Sequence, residues 1–311
     1  MIVNPHSGRK KPTVTVGKIA DMFSAHHMEV VAYFTSPEYN ADYHVKEHYL
    51  NYDIISCFGG DGTISELITG VMQAGIKKPL GLIPNGTTND LARSLGLAAK
   101  PDKAVRVISS GVPRPFDIGS FNNDFFVYIA SFGAFTNVSY ETPQRAKNIF
   151  GRTAYFFSAA KYLNTIKSHH IKIITDDRSC EGDYIFGSVS NSRSVAGLFH
   201  FDNDQVDFAD GKFEVLLVKR PKNVFDLFST FFSMLGKSYK HENIILFHAS
   251  DIKIICDEAL DWAVDGEHRN DGKTIHIVNY PKAVNIIAKK KSTDNAGSKK
   301  NKGNNTNTNE K

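Results

Sequence analysis

Asp53-Ile54-Ile55-Ser56-Cys57-Phe58-Gly59-Gly60-Asp61-Gly62-Thr63 decides the reading of this chain. Residues 53–58 form the continuous apolar run expected of a parallel strand buried on both faces. Residues 59–63 break it with glycines, and Ile64-Ser65-Glu66-Leu67-Ile68 then starts a helical pattern. A strand that turns through glycines into a helix leaves backbone N–H groups converging on one point, where an anion can sit. Glycine is needed for close approach and for the positive φ expected of so tight a turn. Asp61 is the unusual residue. A carboxylate beside a phosphate is repelled unless a metal ion or a transferable proton lies between them, so the stretch points to phosphoryl transfer. No Gly-Lys-Ser/Thr follows, no Gly-x-Gly-x-x-Gly is present, and Thr63 with Glu66 also fits a helix capping box.

Working outward, the first third alternates strand and helix. Strands are expected at 1–3, 29–35, 53–58 and 80–84, with a helix over about 14–27 and others following Thr63 and Asp90. This repetition predicts an α/β N-terminal domain, a parallel sheet with helices on both faces and ligands at the carboxyl ends of its strands. After about Phe116 the segments become short and strand-like, at 118–121, 125–130, 171–175, 184–190, 213–218, 252–256 and 274–278. They predict a mainly antiparallel β-sandwich as the C-terminal domain, interrupted by helical stretches near 150–168 and 222–236. The expected division is 1–117, 118–288 and a tail over 289–311.

The formal charge is +4, but the tail alone carries +5, which leaves the folded body near −1. Its lysines therefore mark no nucleic-acid surface, and a disordered tail with weak attraction to anionic lipid is expected. Cys57, Cys180 and Cys256 have no metal-type spacing, and Cys57 and Cys256 read as buried thiols. No signal peptide and no run of roughly 20 apolar residues is visible, which predicts a cytoplasmic protein.

Three turns should meet at one edge of the parallel sheet: Asn4-Pro5-His6-Ser7-Gly8, Gly59–Thr63 and Pro84-Asn85-Gly86-Thr87-Thr88-Asn89-Asp90. Together they make a nucleotide cradle, with hydroxyls from Ser7, Thr63 and Thr87 and N–H groups from the glycines. In the second domain, Asp207 and Asp210-Gly211 precede a strand, and Asp265-Gly266-Glu267 follows Trp262. The last of these reads by itself as a hairpin turn.

Taken in order, Asn-Pro-x-Ser-Gly at 4–8, Gly-Gly-Asp-Gly-Thr at 59–63, Pro-Asn-Gly-Thr-Thr-Asn-Asp at 84–90 and Asp-Gly-Glu at 265–267 resemble the soluble diacylglycerol kinase family of bacterial lipid kinases, which is related to sphingosine kinases. Ser139-Tyr140-Glu141-Thr142-Pro143 and the stretch around Asp210 resemble its Gram-positive members most. The resemblance implies an N-terminal domain like that of NAD kinases and phosphofructokinases. It implies ATP contacts from Asn4, Pro5, His6, Ser7, Gly8, Thr35, Gly59, Gly60, Asp61, Gly62, Thr63, Glu66 and Thr87. It implies Glu267 as the base for the lipid hydroxyl, with Asp61 facing it and a Mg²⁺-and-water network reaching Asp210. A structural Mg²⁺ would sit near Asp207, Asp210 and the backbone of Lys212, although adjacent aspartates are common in relatives and here two residues separate them.

The implied partner is diacylglycerol at the inner membrane surface, met by peripheral association. A homodimer stays open. The helix near 222–236, rich in Phe, either covers the second-domain sheet or lines the acyl chains, and Arg145, Lys147 and Arg152 could meet headgroups. The rival readings are a kinase for a sphingoid base or polyprenol, an NAD kinase sharing the Gly-Gly-Asp-Gly-Thr element, and a catalytically silent lipid-binding protein.

Overall fold

A computed structural model describes residues 1–7, 15–86, 89–94, 97, 100–134, 166–192, 194–195, 199–200, 207–235 and 241–290. Gly8, Thr87, Thr88, Ser139–Pro143, Arg145, Lys147, Arg152, most of the helix expected near 150–168 and all but the first two residues of the basic tail lie outside these.

The first part runs β1 (Ile2–Val3), α1 (Val16–Ser24), β2 (Tyr33–Phe34), α2 (Ala41–His48), β3 (Ile55–Gly59), α3 (Asp61–Gln73), β4 (Pro79–Pro84), α4 (Asp90–Ser94) and α5 (Pro101–Ser110). The strands pair in parallel in the order β2-β1-β3-β4. Every residue of β3 is buried, because helices cover both faces. On one face α3 contributes Ile64, Leu67, Ile68 and Val71, the i, i+3, i+4, i+7 stripe of an amphipathic helix, packed against Leu80 and Leu82. On the other, Ile19 and Phe23 of α1 and Val105 and Ile108 of α5 pack on Phe58 and Ile83. The strand expected over 29–35 shrinks to Tyr33–Phe34. It is the sheet's outer strand, and its neighbour β1 offers only two residues to pair with.

The second part contains β5 (Val112–Phe121), β6 (Asp124–Phe126), β7 (Ile129–Gly133), β8 (His169–Thr175), β9 (Ser179–Ser190), β10 (Ser194–Val195), β11 (Phe199–His200), β12 (Phe213–Lys219), α6 (Val224–Leu235), β13 (Ile244–Ala249), β14 (Asp251–Cys256), β15 (Trp262–Val264), β16 (Glu267–Arg269) and β17 (Thr274–Ala288). These strands pair antiparallel with one another, as expected, around a core that includes Phe121, Phe126, Phe132, Phe213 and Trp262. Cys57 and Cys256 are buried thiols, pushed up to about 12 and about 11 by burial.

β17 joins the two parts. Its first half pairs antiparallel with β14, Asn285 and Ile286 pair parallel with β4, and β5 pairs antiparallel with it from Ile277 to Ala288. The register shifts between Tyr280 and Val284, where Lys282 has φ 53. This bulge bends the strand from one part into the other. The strand expected over 274–278 thus runs on to Ala288.

Candidate active site

Three strand exits of the first part interlock. After β1, Asn4 donates through Nδ2 to Thr63 Oγ1 (2.9 Å) and accepts the His6 N–H at Oδ1 (2.9 Å), while the Ser7 hydroxyl donates to the Asn4 carbonyl (2.9 Å). After β4, the Asn85 N–H donates to the Gly59 carbonyl (2.7 Å), and its side-chain amide reaches the carbonyl and hydroxyl oxygens of Ser7 (3.3 Å each). Gly86 donates to Asn89 Oδ1 (2.7 Å). Pro5 and His6 are exposed, and Thr35 donates its N–H to the Val3 carbonyl (2.9 Å), beside the end of β1.

The glycines are required by proximity. A Cβ on Gly86 would stand 2.8 Å from the Gly60 Cα, and one on Gly59 would stand 2.7 Å from the Thr63 Cβ. Gly59, Gly60 and Gly62 do not adopt the positive φ that the sequence suggests; Gly60 has φ −86. The helix also begins earlier than expected, with Gly60 as its N-cap and Asp61 as its first residue. Asp61, Gly62 and Thr63 therefore form its first turn, where the helix dipole favours an anion. The expected capping box does not form. Thr63 is buried against Asn4, and Glu66 Oε2 instead accepts the Ala41 N–H (3.2 Å) at the start of α2.

Asp61 points away from its own helix. Its Oδ1 accepts the Leu91 N–H (3.1 Å), which caps α4. It also lies in the electrostatic field of Asp265, a residue of the second part. Asp265 and Gly266 form the two-residue turn between β15 and β16, with φ values of 50 and 88. Positive φ at both positions is the type I′ geometry, and Asp-Gly is a sequence that adopts it readily. The Asp265 carboxylate folds back to accept the N–H groups of Val127 (2.6 Å), Tyr128 (3.0 Å) and Ile129 (3.1 Å). The residue keeps some surface at the turn while its carboxylate is enclosed. Burial, with the Asp61 charge adding to it, pushes the group up to about 6 against the pull of those three donors. Glu267 opens β16 two residues further on, exposed to solvent.

The acidic loop before β12 is organised by a residue that the sequence reading missed. Asp117, fully buried on β5, accepts the Gly211 N–H at Oδ2 and the Lys282 N–H at Oδ1, both at 2.7 Å. Its own N–H donates to the Phe208 carbonyl (2.8 Å), and its carbonyl accepts from Asn191 Nδ2 (3.0 Å). Burial raises its pKa, and the nearby Asp210 charge adds to that. Asp207 and Asp210 are exposed and accept the N–H groups of Ala209 (3.2 Å) and Lys212 (2.9 Å). Glu214, two residues into β12 and almost wholly buried, is pushed up to about 8, first by burial and then by Asp210 and Asp117. The signal for Asp117 was present in Phe116-Asp117-Ile118, a charged residue within an apolar strand.

These carboxylates bear on a metal site. The Asp210 charge reaches Asp117 and Glu214, and the Asp61 charge reaches Asp265, so acidic groups gather in two places. That gathering fits a divalent cation with oxygen ligands. Among the described residues no three acidic, His or Cys side chains come close enough to hold a metal by themselves. Mg²⁺ keeps several waters and uses one or two carboxylates, a number that Asp207 and Asp210 could supply.

Glycine-framed N–H groups at a helix start, with carboxylates opposite, define a site of the phosphotransferase class. Residues 1–121 match the model of the diacylglycerol kinase catalytic domain. The chain is 32% identical over 270 residues to a diacylglycerol kinase of Staphylococcus haemolyticus (strain JCSC1435), covering 86% of this chain and 81% of the relative. It is 29% identical over 270 residues to one of Bacillus subtilis (strain 168), covering 86% of this chain and 89% of the relative. A crystal structure of a diacylglycerol kinase from Bacillus anthracis str. Sterne has the same fold, with a TM-score of 0.69, 22% identity, and coverage of 92% of this chain and 95% of that one. The chain belongs to the diacylglycerol kinase family, a family of lipid kinases. No helix among the described residues is long and apolar enough to cross a membrane.

Proposed function

We propose that the protein transfers the γ-phosphoryl group of ATP to the free hydroxyl of diacylglycerol, giving phosphatidic acid. The observation that carries this reading is the interlock of three strand exits around Asp61, with Asp265 of the second part opposite. In this reading residues 1–117 bind ATP, residues 118–288 bind the lipid, and 289–311 form a basic tail that assists peripheral contact with the membrane. Asn4 to Gly8, Thr35, Gly59 to Thr63, Glu66 and Thr87 line the nucleotide. The N–H groups at the start of α3 hold phosphate oxygens, and the close glycine contact leaves no side chain in their way.

Asp207, Asp210 and the backbone of Lys212 would hold a structural Mg²⁺, and a Mg²⁺-and-water network between Asp61 and Asp210 would supply positive charge to the transferring phosphoryl group. Glu267 takes the proton of the attacking hydroxyl, which is a weak nucleophile at neutral pH until a carboxylate is within reach. Asp265 is the positioning residue: its three N–H bonds fix the turn from which Glu267 extends. With the base on one part and the phosphate cradle on the other, approach of the two parts completes the site and excludes water.

Purified protein given ATP, Mg²⁺ and a panel of dispersed lipids tests the reading. Phosphatidic acid is the expected product; its absence, with product formed from NAD or a sphingoid base, overturns the proposal. Asp61→Ala and Glu267→Ala should each lower turnover by about 10² or more, and the double variant should be little worse, because the two act as a unit. Substantial turnover in Glu267→Ala would move the base role to Asp61 or Asp265.

A further inference from the structure

One face of β9 carries polar groups for which phosphoryl transfer has no use. β9 lies between β7 and β12, and the register sets residues in rows across the three strands. Ile129, Ser190 and Glu214 form one row; Ser131, Ser188 and Leu216 the next; Gly133, Phe186 and Val218 the third. Residues directly opposite one another in antiparallel strands project to the same face. The polar groups on this face therefore lie in the first two rows, beside Ile129 and Leu216, and the third row carries none. Ile129 of the first row, Leu216 of the second, and Phe186 and Val218 of the third belong with Met234 of α6 to one apolar cluster that runs along this face.

Ser188 and Ser190 are 1% and 0% exposed, and among the described residues their hydroxyls have no hydrogen-bond partner. The same holds for Glu214 Oε2 and for Asn191 Oδ1 next in the chain. Buried polar atoms in native proteins are nearly always paired, so four unpaired ones on neighbouring residues imply a missing partner. The patch borders the catalytic region. Glu214 lies in the field of Asp210 and Asp117, and Phe208 of the acidic loop packs against the apolar cluster.

We propose that Ser188 and Ser190 donate hydrogen bonds to the ester oxygens of the acylglycerol, whose acyl chains run along the apolar rows toward α6. The inference rests on the lipid-kinase reading above and specifies which part of the lipid is recognised. Ester carbonyls accept and cannot donate, so a pair of enclosed hydroxyl donors is the complement they need. A site of this kind rejects an analogue that lacks the matching group, because its own donors are then left unpaired.

The test compares 1,2-diacylglycerol with the 1,2-dialkylglycerol of equal chain length, which keeps the hydroxyl and lacks the carbonyls, in the same mixed micelles. The wild-type protein should favour the diester by about tenfold or more in kcat/KM, the loss expected for one hydrogen bond. Ser188→Ala and Ser190→Ala should each lower that preference by the share of one hydrogen bond, and the double variant should erase it, with the dialkyl rate and the KM for ATP unchanged. Absence of ester preference in the wild-type protein overturns the inference without need of any variant. So does an equal loss on both lipids, which would mark the hydroxyls as structural or occupied by water. If the wild-type protein phosphorylates neither glycerolipid but does phosphorylate a different hydroxyl, the functional reading falls and the inference with it.

Discussion

Asp265 sets a pH dependence whose sign follows from its surroundings. Burial raises its pKa from 3.8 in the unfolded chain to about 6 in the folded one. Below 3.8 both states are protonated and the group contributes nothing to stability. Between 3.8 and about 6 the unfolded chain ionises first, so stability falls as pH rises, and above that the cost stays constant. The full cost is on the order of 3 kcal/mol, from the conversion of pKa units to free energy. Urea unfolding across this window should show a shallower decline for Asp265→Asn than for the wild-type protein. That variant would also start from lower stability, since an amide oxygen cannot replace both carboxylate oxygens in accepting three N–H bonds. Equal slopes in the two proteins would remove Asp265 as the source. The turn at 265–266 was legible in the sequence because Asp-Gly suits positive φ. The inward fold of the carboxylate was not, because its three donors are backbone groups some 137 residues away in the chain and backbone leaves no trace in residue identity.

At the scale of elements, β5, β17 and the loop before β12 meet at Asp117. An asparagine there has one acceptor oxygen, so Asp117→Asn leaves the N–H of either Gly211 or Lys282 unpaired. The expected loss is about 1–3 kcal/mol of stability, the usual cost of an unsatisfied buried group. Because Gly211 adjoins Asp210, the Mg²⁺ concentration for half-maximal activity should rise as well. Thermal unfolding and a Mg²⁺ titration read the two effects separately; a stability loss with an unaltered Mg²⁺ requirement would confine Asp117 to a structural role. The helices and most strands were readable, since a continuous apolar run, an i, i+3, i+4 stripe and alternation each have one physical cause. The second half of β17 was not. Tyr280-Pro281-Lys282 reads as a chain break, yet the bulge absorbs the proline, which has no ladder N–H to lose where the register slips.

For the whole molecule, β17 makes the two parts mutually dependent. Phe116, Ile118, Val284 and Ile286 complete the apolar cluster of α3, β3 and β4, so removing residues 274–290 strips cover from the first part as well as strands from the second. Circular dichroism and denaturant unfolding of residues 1–273 should show no cooperative native-like transition; a transition at the full-length midpoint would show the first part to be self-sufficient. The three loops around Asp61 were recognisable from their glycines, whereas their apposition to Asp265 depends on this return of the chain, which no local pattern announces.

The same return has a consequence on the ribosome. β4 leaves the exit tunnel about 190 residues ahead of β17, a delay of roughly 10 to 40 seconds at ordinary rates of synthesis. For that interval the edge of β4 at Pro79 and Leu80, which β17 pairs in the finished chain, stands open, an invitation to strand addition from a neighbouring nascent chain. Among the described strands the last made is thus the seal on the first sheet begun, and polysomes translating this message would carry half-closed copies until β17 emerges.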